Sequence, residues 1–363
     1  DLIVINSFTP QARYAYEAAD KFRERGQQVI LGGMHPTATP EESSKHGSVC
    51  IGEGEPVWLE ILEDAKNKKL KKFYQAAEPM DITKYPRPDR SLFENKKGYD
   101  WKPFLIQVLR GCEYTCQYCI IPEAHGRKFR YRLLDDIFDE MKEFEKYEEL
   151  FIADDVLLLP DPTIEKFAVD FFDGLKGNKK DVFLNASLLL NTNPTLLKKV
   201  KDAGIDTLYC VMGFDPVSIK ALTFGKTKKA AEIIKRYQDA GITLFASIGI
   251  GSDMDRPDIF DKILNFLEET NITLAEFYIH TPYPGTPSWK TLNKRNRIIT
   301  KDFDYYNGTH VVYKPKRMTV PELEKGFLYL WKEFYTRHPL SPETAAAHYN
   351  MTEDFFKRHG IKI

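Results

Sequence analysis

Short apolar runs alternate with helical segments about six times between residues 101 and 315. The runs are residues 104–109, 150–153, 182–184, 207–212, 243–250 and 274–279. Strands that alternate with helices along the chain are typical of a parallel α/β sheet. The pattern therefore predicts a partial (β/α)6 TIM-type barrel, in which chemistry gathers at the carboxyl ends of the strands.

The first 75 residues show the same alternation on a smaller scale. Apolar runs at 2–7, 28–31 and 49–51 are separated by helical spacing, which predicts a partial doubly wound (Rossmann-like) α/β domain. Gly32 and Gly33 follow the second run, where a backbone without side chains can approach a ligand or simply make a tight turn.

Two further segments complete the expected domain plan. Residues 76–100 are rich in proline and charge and are predicted to be a linker between 1–75 and a barrel at 101–315. Residues 316–363 are predicted to form a helical C-terminal tail, with helices at 321–335 and 342–357 that cap the barrel.

Three cysteines are packed into eight residues at the end of the first barrel strand. Cys112, Cys116 and Cys119 have the spacing Cys-x3-Cys-x2-Cys. Three thiolates can hold three irons of a [4Fe–4S] cluster and leave the fourth iron open to a small molecule. The alternatives are a chance cluster or a structural zinc site, although zinc usually takes four ligands in two separated pairs.

Composition narrows the classes of function. The chain has 363 residues with 52 basic and 53 acidic side chains, a balance that gives no reason to expect nucleic acid as a partner. The apolar runs are too short to predict a transmembrane segment. Clustered cysteines favour a reducing compartment, so we expect a cytoplasmic protein, and we expect the natural chain to begin upstream of Asp1.

The run Arg-Gly-Cys-Glu-Tyr-Thr-Cys-Gln-Tyr-Cys resembles the signature of the radical S-adenosylmethionine (SAM) enzymes. That signature has an aromatic residue before the last cysteine, and Tyr118 holds this place. The resemblance implies that SAM chelates the open iron and that one electron cleaves it to a 5′-deoxyadenosyl radical, which abstracts hydrogen from an unactivated carbon. It also places Tyr118 beside the adenine.

Leu-Gly-Gly-Met-His-Pro at 31–36 and Ile-Gly-Glu-Gly-Glu at 51–55 are similar to the latter half of the cobalamin-binding domain that precedes many of these enzymes. The resemblance implies cobalamin as a further cofactor near Gly32, Gly33 and His35. The two strands that normally open that domain do not occur here. The Asp-x-His-x-x-Gly loop that some members use for cobalt is also missing, so we expect His35 to be a loop contact.

The same resemblance suggests SAM contacts at three strand ends. Asp154 and Asp155 follow the second barrel strand, where relatives place acids against the methionyl ammonium; loop solvation is the alternative. Asp215 follows the fourth strand, where relatives often carry a glutamate near the ribose. Ser247 and Gly249, at the end of the fifth, are expected near the adenine.

Two further groups have an ordinary structural alternative. His280 and Tyr283 follow the sixth strand in a proline-rich loop that resembles one in these relatives, and either can handle a proton or orient substrate if the loop is not merely a rigid turn. Arg127 and Arg130 belong to a basic run that is either a solvated face or a patch for the SAM carboxylate, an acidic substrate or an electron donor such as flavodoxin or ferredoxin.

The resulting hypothesis is a radical SAM enzyme that methylates an unactivated carbon of a small-molecule or lipid-like substrate with the help of cobalamin. One alternative is cobalamin-independent cyclisation, oxidation or rearrangement, with a vestigial N-terminal domain. Another is a non-catalytic iron–sulfur protein that senses redox state. Methylthiotransfer is disfavoured because the N-terminal cysteine triad of that group is absent from the sequence.

Overall fold

The computed structural model describes residues 1–84, 86–91, 103–154 and 157–339. Contacts divide these residues into two compact units. The sheet unit contains the described residues of 1–85, 109–132 and 280–314, and the barrel unit those of 86–108, 133–279 and 315–363. The domain boundaries expected from the sequence stay a prediction.

The strands, in chain order, are β1 Leu2–Asn6, β2 Gln28–Gly32, β3 Ser48–Ile51, β4 Phe73–Gln75, β5 Phe104–Ile106, β6 Leu109–Arg110, β7 Arg130–Tyr131, β8 Glu149–Ile152, β9 Asp181–Ser187, β10 Thr207–Met212, β11 Thr243–Ile250 and β12 Ala275–Ile279. The α-helices are α1 Ala12–Glu24, α2 Met34–Ala38, α3 Pro40–Ser43, α4 Trp58–Lys66, α5 Ile121–His125, α6 Leu134–Glu140, α7 Pro162–Gly174, α8 Pro194–Asp202, α9 Pro216–Leu222, α10 Lys228–Asp239, α11 Ile259–Glu269, α12 Pro287–Lys294 and α13 Val320–Arg337.

The sheet unit is built on four parallel strands in the order β1-β2-β3-β4. Alternate residues of β2 face opposite sides, because side chains in a strand have a period of two. Val29 and Leu31 pack with Ala19 of α1, whereas Ile30 packs with Ile61 of α4. Helices therefore cover both faces, and the prediction of a doubly wound sheet is confirmed.

Two additions complete the sheet unit. β6 and β7 form a short antiparallel hairpin whose loop carries the three clustered cysteines and α5. The segment 280–314 contains α12 and a small apolar core of Leu292, Tyr306, Val312 and Tyr313. The first barrel strand thus ends at Ile106 and not at residue 109, because Leu109 pairs with Tyr131 in the hairpin.

The barrel unit contains six parallel strands in the order β12-β11-β10-β9-β8-β5. This confirms the expected partial (β/α)6 barrel, with the strands close to their predicted positions. The segment between β5 and β8 is not one continuous α-helix: α6 ends at Glu140, and Met141–Lys146 is a 3-10 helix. Glu140 is almost fully buried at this junction, where Arg90 binds its carboxylate at 2.5 Å.

The C-terminal helix α13 packs on the last barrel strand. Its capping box pairs Thr319 with Glu322, and Trp331 donates a hydrogen bond from Nε1 to the carbonyl of Phe277 at 3.2 Å. The predicted helix over 321–335 is confirmed, while the one over 342–357 lies outside the described residues. Across the described ranges, every helix is too short or too polar to cross a bilayer.

Candidate functional site

The cysteine loop runs from β6 to α5, inside the connection between β6 and β7 in the sheet unit. Gly111 enters the loop at φ +86°, and a side chain there would overlap the carbonyl of Lys128. The next residue, Cys112, donates its backbone N–H to Gly126 at 3.2 Å. The two ends of the loop are therefore in contact at its first cysteine. Only glycine at position 111 permits this close approach of the two backbone segments.

The three cysteines differ from the other two in environment. Cys112, Cys116 and Cys119 are half-exposed on the loop, whereas Cys50 and Cys210 are buried in the two sheets. The backbone N–H of Cys119 turns back to the carbonyl of Cys116 at 3.2 Å. Tyr118, between them, is half-exposed on the same loop.

The donor set of this loop fits an iron–sulfur cluster. The backbone N–H of Ile121 donates to Sγ of Cys119 at 3.4 Å, and hydrogen bonds to sulfur are one of the ways in which proteins tune such clusters. In the residues that the structure describes, no three His, Cys, Asp or Glu side chains converge as they would on a single metal ion. A cube takes one thiolate on each iron, so its thiolates surround the cluster and do not meet at a single ion.

The two candidate arginines after the loop lie in different environments. Arg127 forms an exposed ion pair with Glu123 at 2.9 Å, one helical turn away. Arg130 is largely buried, and both of its terminal nitrogens bind Glu53 and nearby backbone carbonyls. The structure does not bring the two guanidinium groups into one patch, and a contact of either with SAM stays a prediction.

The carboxyl edge of the four-stranded sheet includes Gly33 and Ser7. Gly33 has φ +92°, and a side chain there would overlap the Asn6 amide. Ser7 is 1% exposed, and within the described part of the chain its hydroxyl has no hydrogen-bond partner. A buried hydroxyl is normally paired, so this edge has a donor to offer a ligand. Sequence analysis missed Ser7, whose only signal was a polar residue directly after a strand.

His35 is fully buried in α2, behind that edge. Its Nε2 lies 2.9 Å from the Tyr16 hydroxyl and its Nδ1 lies 3.2 Å from the Thr9 hydroxyl. The ring also meets Phe303 edge-on, with 4.8 Å between centroids. Both ring nitrogens thus have protein hydroxyls as partners, and a contact of His35 with cobalamin stays a prediction.

His280 and Tyr283 lie in the segment that precedes α12. The Nε2 of His280 is 2.7 Å from the Ser288 hydroxyl, and its ring meets Tyr313 edge-on. Tyr283 packs against the Leu292 core, and burial raises its pKa. Both side chains have structural partners, so their proposed catalytic roles stay predictions.

The candidate acids of the barrel unit bind backbone N–H groups. Asp154 is 3% exposed and accepts a hydrogen bond from the N–H of Val108 at 2.8 Å, while Asp155 lies outside the described residues. Asp215 is the N-cap of α9 and accepts from the N–H groups of Val217 and Ser218 at 2.8 and 2.9 Å. Capping therefore accounts for Asp215 without a ribose contact.

Ser247 belongs to a polar group on the inner face of the barrel sheet. It lies opposite Glu276 across β11 and β12, and both side chains bond the Tyr209 hydroxyl. Gly249, two residues further along β11, leaves room for the rings of Phe214 and Tyr278, which a side chain would overlap. Both residues have packing roles in the sheet, and a contact of either with adenine stays a prediction.

Aromatic rings continue this inner face across the neighbouring strands. Phe151 stacks on Phe183 at 4.7 Å, Phe183 lies 5.7 Å from Tyr209, and Tyr209 meets Phe245 edge-on at 5.2 Å. Strand pairing places these side chains on one face, because Phe151 lies opposite Phe183 and Tyr209 opposite Phe245. The face therefore carries a row of aromatic rings, with Glu276 at one side and with Glu149 and Asp181 at the amino ends of β8 and β9.

Residues 106–267 match the family model of the radical SAM superfamily. The bacteriochlorophyllide d C-8(2)-methyltransferase of Chlorobaculum tepidum is 27% identical and covers 99% of this chain and 84% of its own length. The bacteriochlorophyllide d C-12(1)-methyltransferase of the same organism is 28% identical, over 92% of this chain and 75% of its own.

Two solved structures share the fold. OxsB, a cobalamin-dependent SAM radical enzyme with aqua-cobalamin and SAM bound, has a TM-score of 0.68 at 17% identity and covers 99% of this chain and 62% of its own. TsrM of Kitasatospora setae, a radical SAM methyltransferase with cobalamin and a [4Fe–4S] cluster bound, has a TM-score of 0.62 at 13% identity, with 81% and 67% covered.

Taken with the cysteine loop, these matches assign residues 106–267 to a radical SAM domain, and enzymes of that superfamily use a [4Fe–4S] cluster and SAM. More particularly, the chain is similar to methyltransferases over nearly its whole length, and it shares its fold with OxsB and TsrM. The family and the enzyme class expected from the sequence are confirmed.

Proposed function

We propose that this chain is a cobalamin-dependent radical SAM methyltransferase that methylates an unactivated carbon of an apolar small molecule. The observation that carries the proposal is the closed loop with three half-exposed cysteines, which belongs to the same compact unit as the four-stranded sheet. Cys112, Cys116 and Cys119 would hold the cluster. When bound, the cluster supplies the electron that cleaves SAM.

The carboxyl edge of the sheet would hold the cobalamin. Its fit rests on the buried Ser7 hydroxyl, which can donate to the cofactor, and on Gly32, which leaves room beside its backbone; the corresponding space at Gly33 is filled by the Asn6 amide. When bound, cobalamin supplies a carrier for the methyl group. His35 would support this edge through Tyr16 and Thr9 and leave the cobalt without a ligand from its ring.

The inner face of the barrel would select the substrate. The row of Phe151, Phe183, Tyr209 and Phe245, each the third residue of its strand, would form an apolar floor to that face, and Glu276 with Ser247 would offer a polar anchor. Such a lining favours a large apolar molecule with one hydrogen-bond donor. Two relatives named as bacteriochlorophyllide methyltransferases are consistent with a substrate of this kind.

An external electron donor such as flavodoxin or ferredoxin is part of the proposal.

The first test uses anaerobically reconstituted protein with SAM and dithionite. We expect a [4Fe–4S] signal in paramagnetic resonance that SAM perturbs, and release of 5′-deoxyadenosine. Cys116→Ala should lose both, whereas Cys50→Ala, which removes a buried thiol of the sheet, should keep them. A parent protein that forms no cluster, or a cluster that ignores SAM, would overturn the radical SAM part of the proposal.

The second test concerns cobalamin and methyl transfer. Protein produced with added cobalamin should show the visible absorption of a bound corrinoid, and Ser7→Val should lower the amount retained. SAM with a deuterated methyl group should transfer its label to an apolar acceptor. If 5′-deoxyadenosine forms but no corrinoid is retained by the parent, the cobalamin-independent alternative replaces this proposal.

A further inference from the structure

The hairpin that closes the cysteine loop places two arginines face to face. Arg110 of β6 and Arg130 of β7 are direct partners in the antiparallel register. The Arg110 side chain is 6% exposed and that of Arg130 is 16% exposed, so water screens neither charge well. Like charges directly opposite each other destabilise a strand pair, and burial makes the repulsion stronger. The hairpin therefore needs an anion.

Glu53 supplies that anion from the loop after β3. Its side chain is 4% exposed, and its two oxygens accept from the two terminal nitrogens of Arg130 at 2.7 and 3.0 Å. The same carboxylate lies 3.4 Å from Nη1 of Arg110. A forked arginine–carboxylate pair of this kind fixes orientation as well as charge. Glu55, at 2.9 Å from Arg110, gives further support from a more exposed position.

The network reaches both ends of the cysteine loop. At the entry, Arg110 precedes Cys112 by two residues, and Gly111 lies between them. The backbone N–H of Cys112 then binds the carbonyl of Gly126. At the exit, Arg130 donates to the carbonyl of His125, the last residue of α5. Arg130 also binds the carbonyl of Met80 at 2.6 Å, and the Met80 N–H binds Glu53 at 2.6 Å. One buried carboxylate thus ties together both ends of the loop.

We propose that Glu53 is a positioning residue for the cluster: the N-terminal sheet, through this carboxylate, holds the cysteine loop in the shape that receives iron and SAM. Glu53 touches neither the cysteines nor a reacting atom. The sheet domain is then required for the cluster whether or not it binds cobalamin, and it is not a vestigial scaffold. The proposal rests on the assignment of Cys112, Cys116 and Cys119 as the cluster ligands.

The test compares Glu53→Gln in the full chain with the parent. Glutamine keeps the shape of the side chain but removes the charge that separates the two arginines. The matched control is Glu41→Gln, which removes a carboxylate from an exposed ion pair with Lys72 in the same unit. A rescue variant carries both Glu53→Gln and Arg110→Gln, which removes the like-charge pair together with its counter-ion.

One readout is independent of the cluster. In the metal-free protein, alkylation of the three loop cysteines by iodoacetamide reports how often the loop opens. We expect Glu53→Gln to speed this alkylation about tenfold or more, because an uncompensated buried charge promotes local opening. Glu41→Gln should match the parent, and the double variant should return towards it. Equal rates in Glu53→Gln and the parent would overturn the proposal.

The second readout is the cluster itself. After reconstitution, Glu53→Gln should bind less iron, and the paramagnetic signal that remains should lose its response to SAM, with partial recovery in the double variant. If the parent forms a cluster and Glu53→Gln forms the same one with the same SAM response, the proposal is wrong. If the parent forms none, the proposed function fails, and the alkylation rates still decide whether Glu53 orders the loop. A Glu53→Gln chain that does not fold supports the proposal only if the double variant folds and regains slow alkylation; otherwise it is overturned.

Discussion

Ser247 donates a hydrogen bond to Glu276, its direct neighbour across the last two barrel strands, with 2.6 Å between Oγ and Oε1. The hydroxyl of Tyr209 donates to the same Oε1 and lies 2.8 Å from Oγ of Ser247. Two hydroxyl groups from two strands therefore share one acceptor. Hydrogen bonds that share an acceptor in a partly buried site are coupled, and the coupling can be measured.

We expect Tyr209→Phe and Ser247→Ala to lower the free energy of unfolding by about 1 to 2 kcal/mol each. The double variant should differ from the sum by about 0.5 kcal/mol or more, because either change alone disturbs the bond of the other. Urea unfolding of the four proteins gives the coupling energy. As a control, Tyr209→Phe with Tyr329→Phe, whose hydroxyl binds Asp261 at the surface, should be additive. An additive result for the first pair would contradict a shared acceptor.

His35 provides a second prediction. Replacement by alanine removes the partner of the Tyr16 and Thr9 hydroxyls in a fully buried position. We expect a loss of about 1 to 3 kcal/mol in the free energy of unfolding, from the lost bond to Thr9 and the cavity, while the Tyr16 hydroxyl keeps Ser43 as a partner at 3.0 Å. Any bound corrinoid should keep its visible spectrum, since the ring is not expected to bind cobalt. His310→Ala, at an exposed turn, is the control. An unchanged stability with an altered corrinoid spectrum would assign His35 to the cobalt.

Asp215 can be tested by separating capping from ribose binding. Asp215→Ala removes the N-cap of α9 and should cost about 1 kcal/mol. Asp215→Ser retains a capping oxygen but is too short to reach as far as a carboxylate. If capping is the whole role, Asp215→Ser keeps most of the stability and the parent affinity for SAM, measured by equilibrium dialysis. A Ser variant that is stable but binds SAM at least tenfold more weakly would favour the ribose contact instead.

The sequence was sufficient to predict the repeating elements. Strands and long helices of the barrel bury one face each, so their hydrophobic periodicity records the fold directly. The helix α13 is an example, since Leu323, Phe327, Leu330, Trp331 and Phe334 are all buried as their spacing predicted. Helices α9 and α12 were missed because they have fewer than nine residues and begin with Asp-Pro and Thr-Pro, which indicate turns as well as helix starts.

The site was predictable only where a local pattern carries the chemistry. The spacing of Cys112, Cys116 and Cys119 is such a pattern. The pairing of Glu53 with Arg130 is not, because the two residues are 77 positions apart and their sequence contexts contain many other charges. The basic run after the cysteines therefore indicated a surface patch, whereas folding buries Arg130 in an ion pair. Contacts of this kind depend on the tertiary structure.

Gly326 on α13 gives a prediction in which the direction of the stability change is informative. In an exposed helix, glycine to alanine stabilises by about 1 kcal/mol. At position 326 a Cβ would overlap the ring of Phe260 on α11, and Leu323 and Phe327 on the same face of α13 are buried. We therefore expect Gly326→Ala to destabilise the protein by about 1 to 3 kcal/mol through overpacking. The double variant Gly326→Ala with Phe260→Leu should recover part of this loss in urea unfolding. A stabilised Gly326→Ala protein would mean that the two helices do not pack this closely.

The lowered pKa of Glu53 predicts how the stability of the folded chain depends on pH. Burial alone would raise its pKa, but the nearby His125 ring, 3.8 Å away, and hydrogen bonds from Arg130 and the Met80 N–H outweigh burial and hold the pKa well below its usual range. A carboxyl group whose pKa is lower in the folded chain contributes stability above its ordinary pKa of about 4.3, and the contribution is lost as the pH falls below it. The advantage of the parent over Glu53→Gln in free energy of unfolding should thus be constant from about pH 7 to pH 5 and shrink below about pH 4. Urea unfolding at several pH values measures it, with Glu41→Gln as the reference for an exposed carboxylate. An advantage that grows towards low pH would show that Glu53 is protonated in the folded chain and is not the counter-ion of the two arginines.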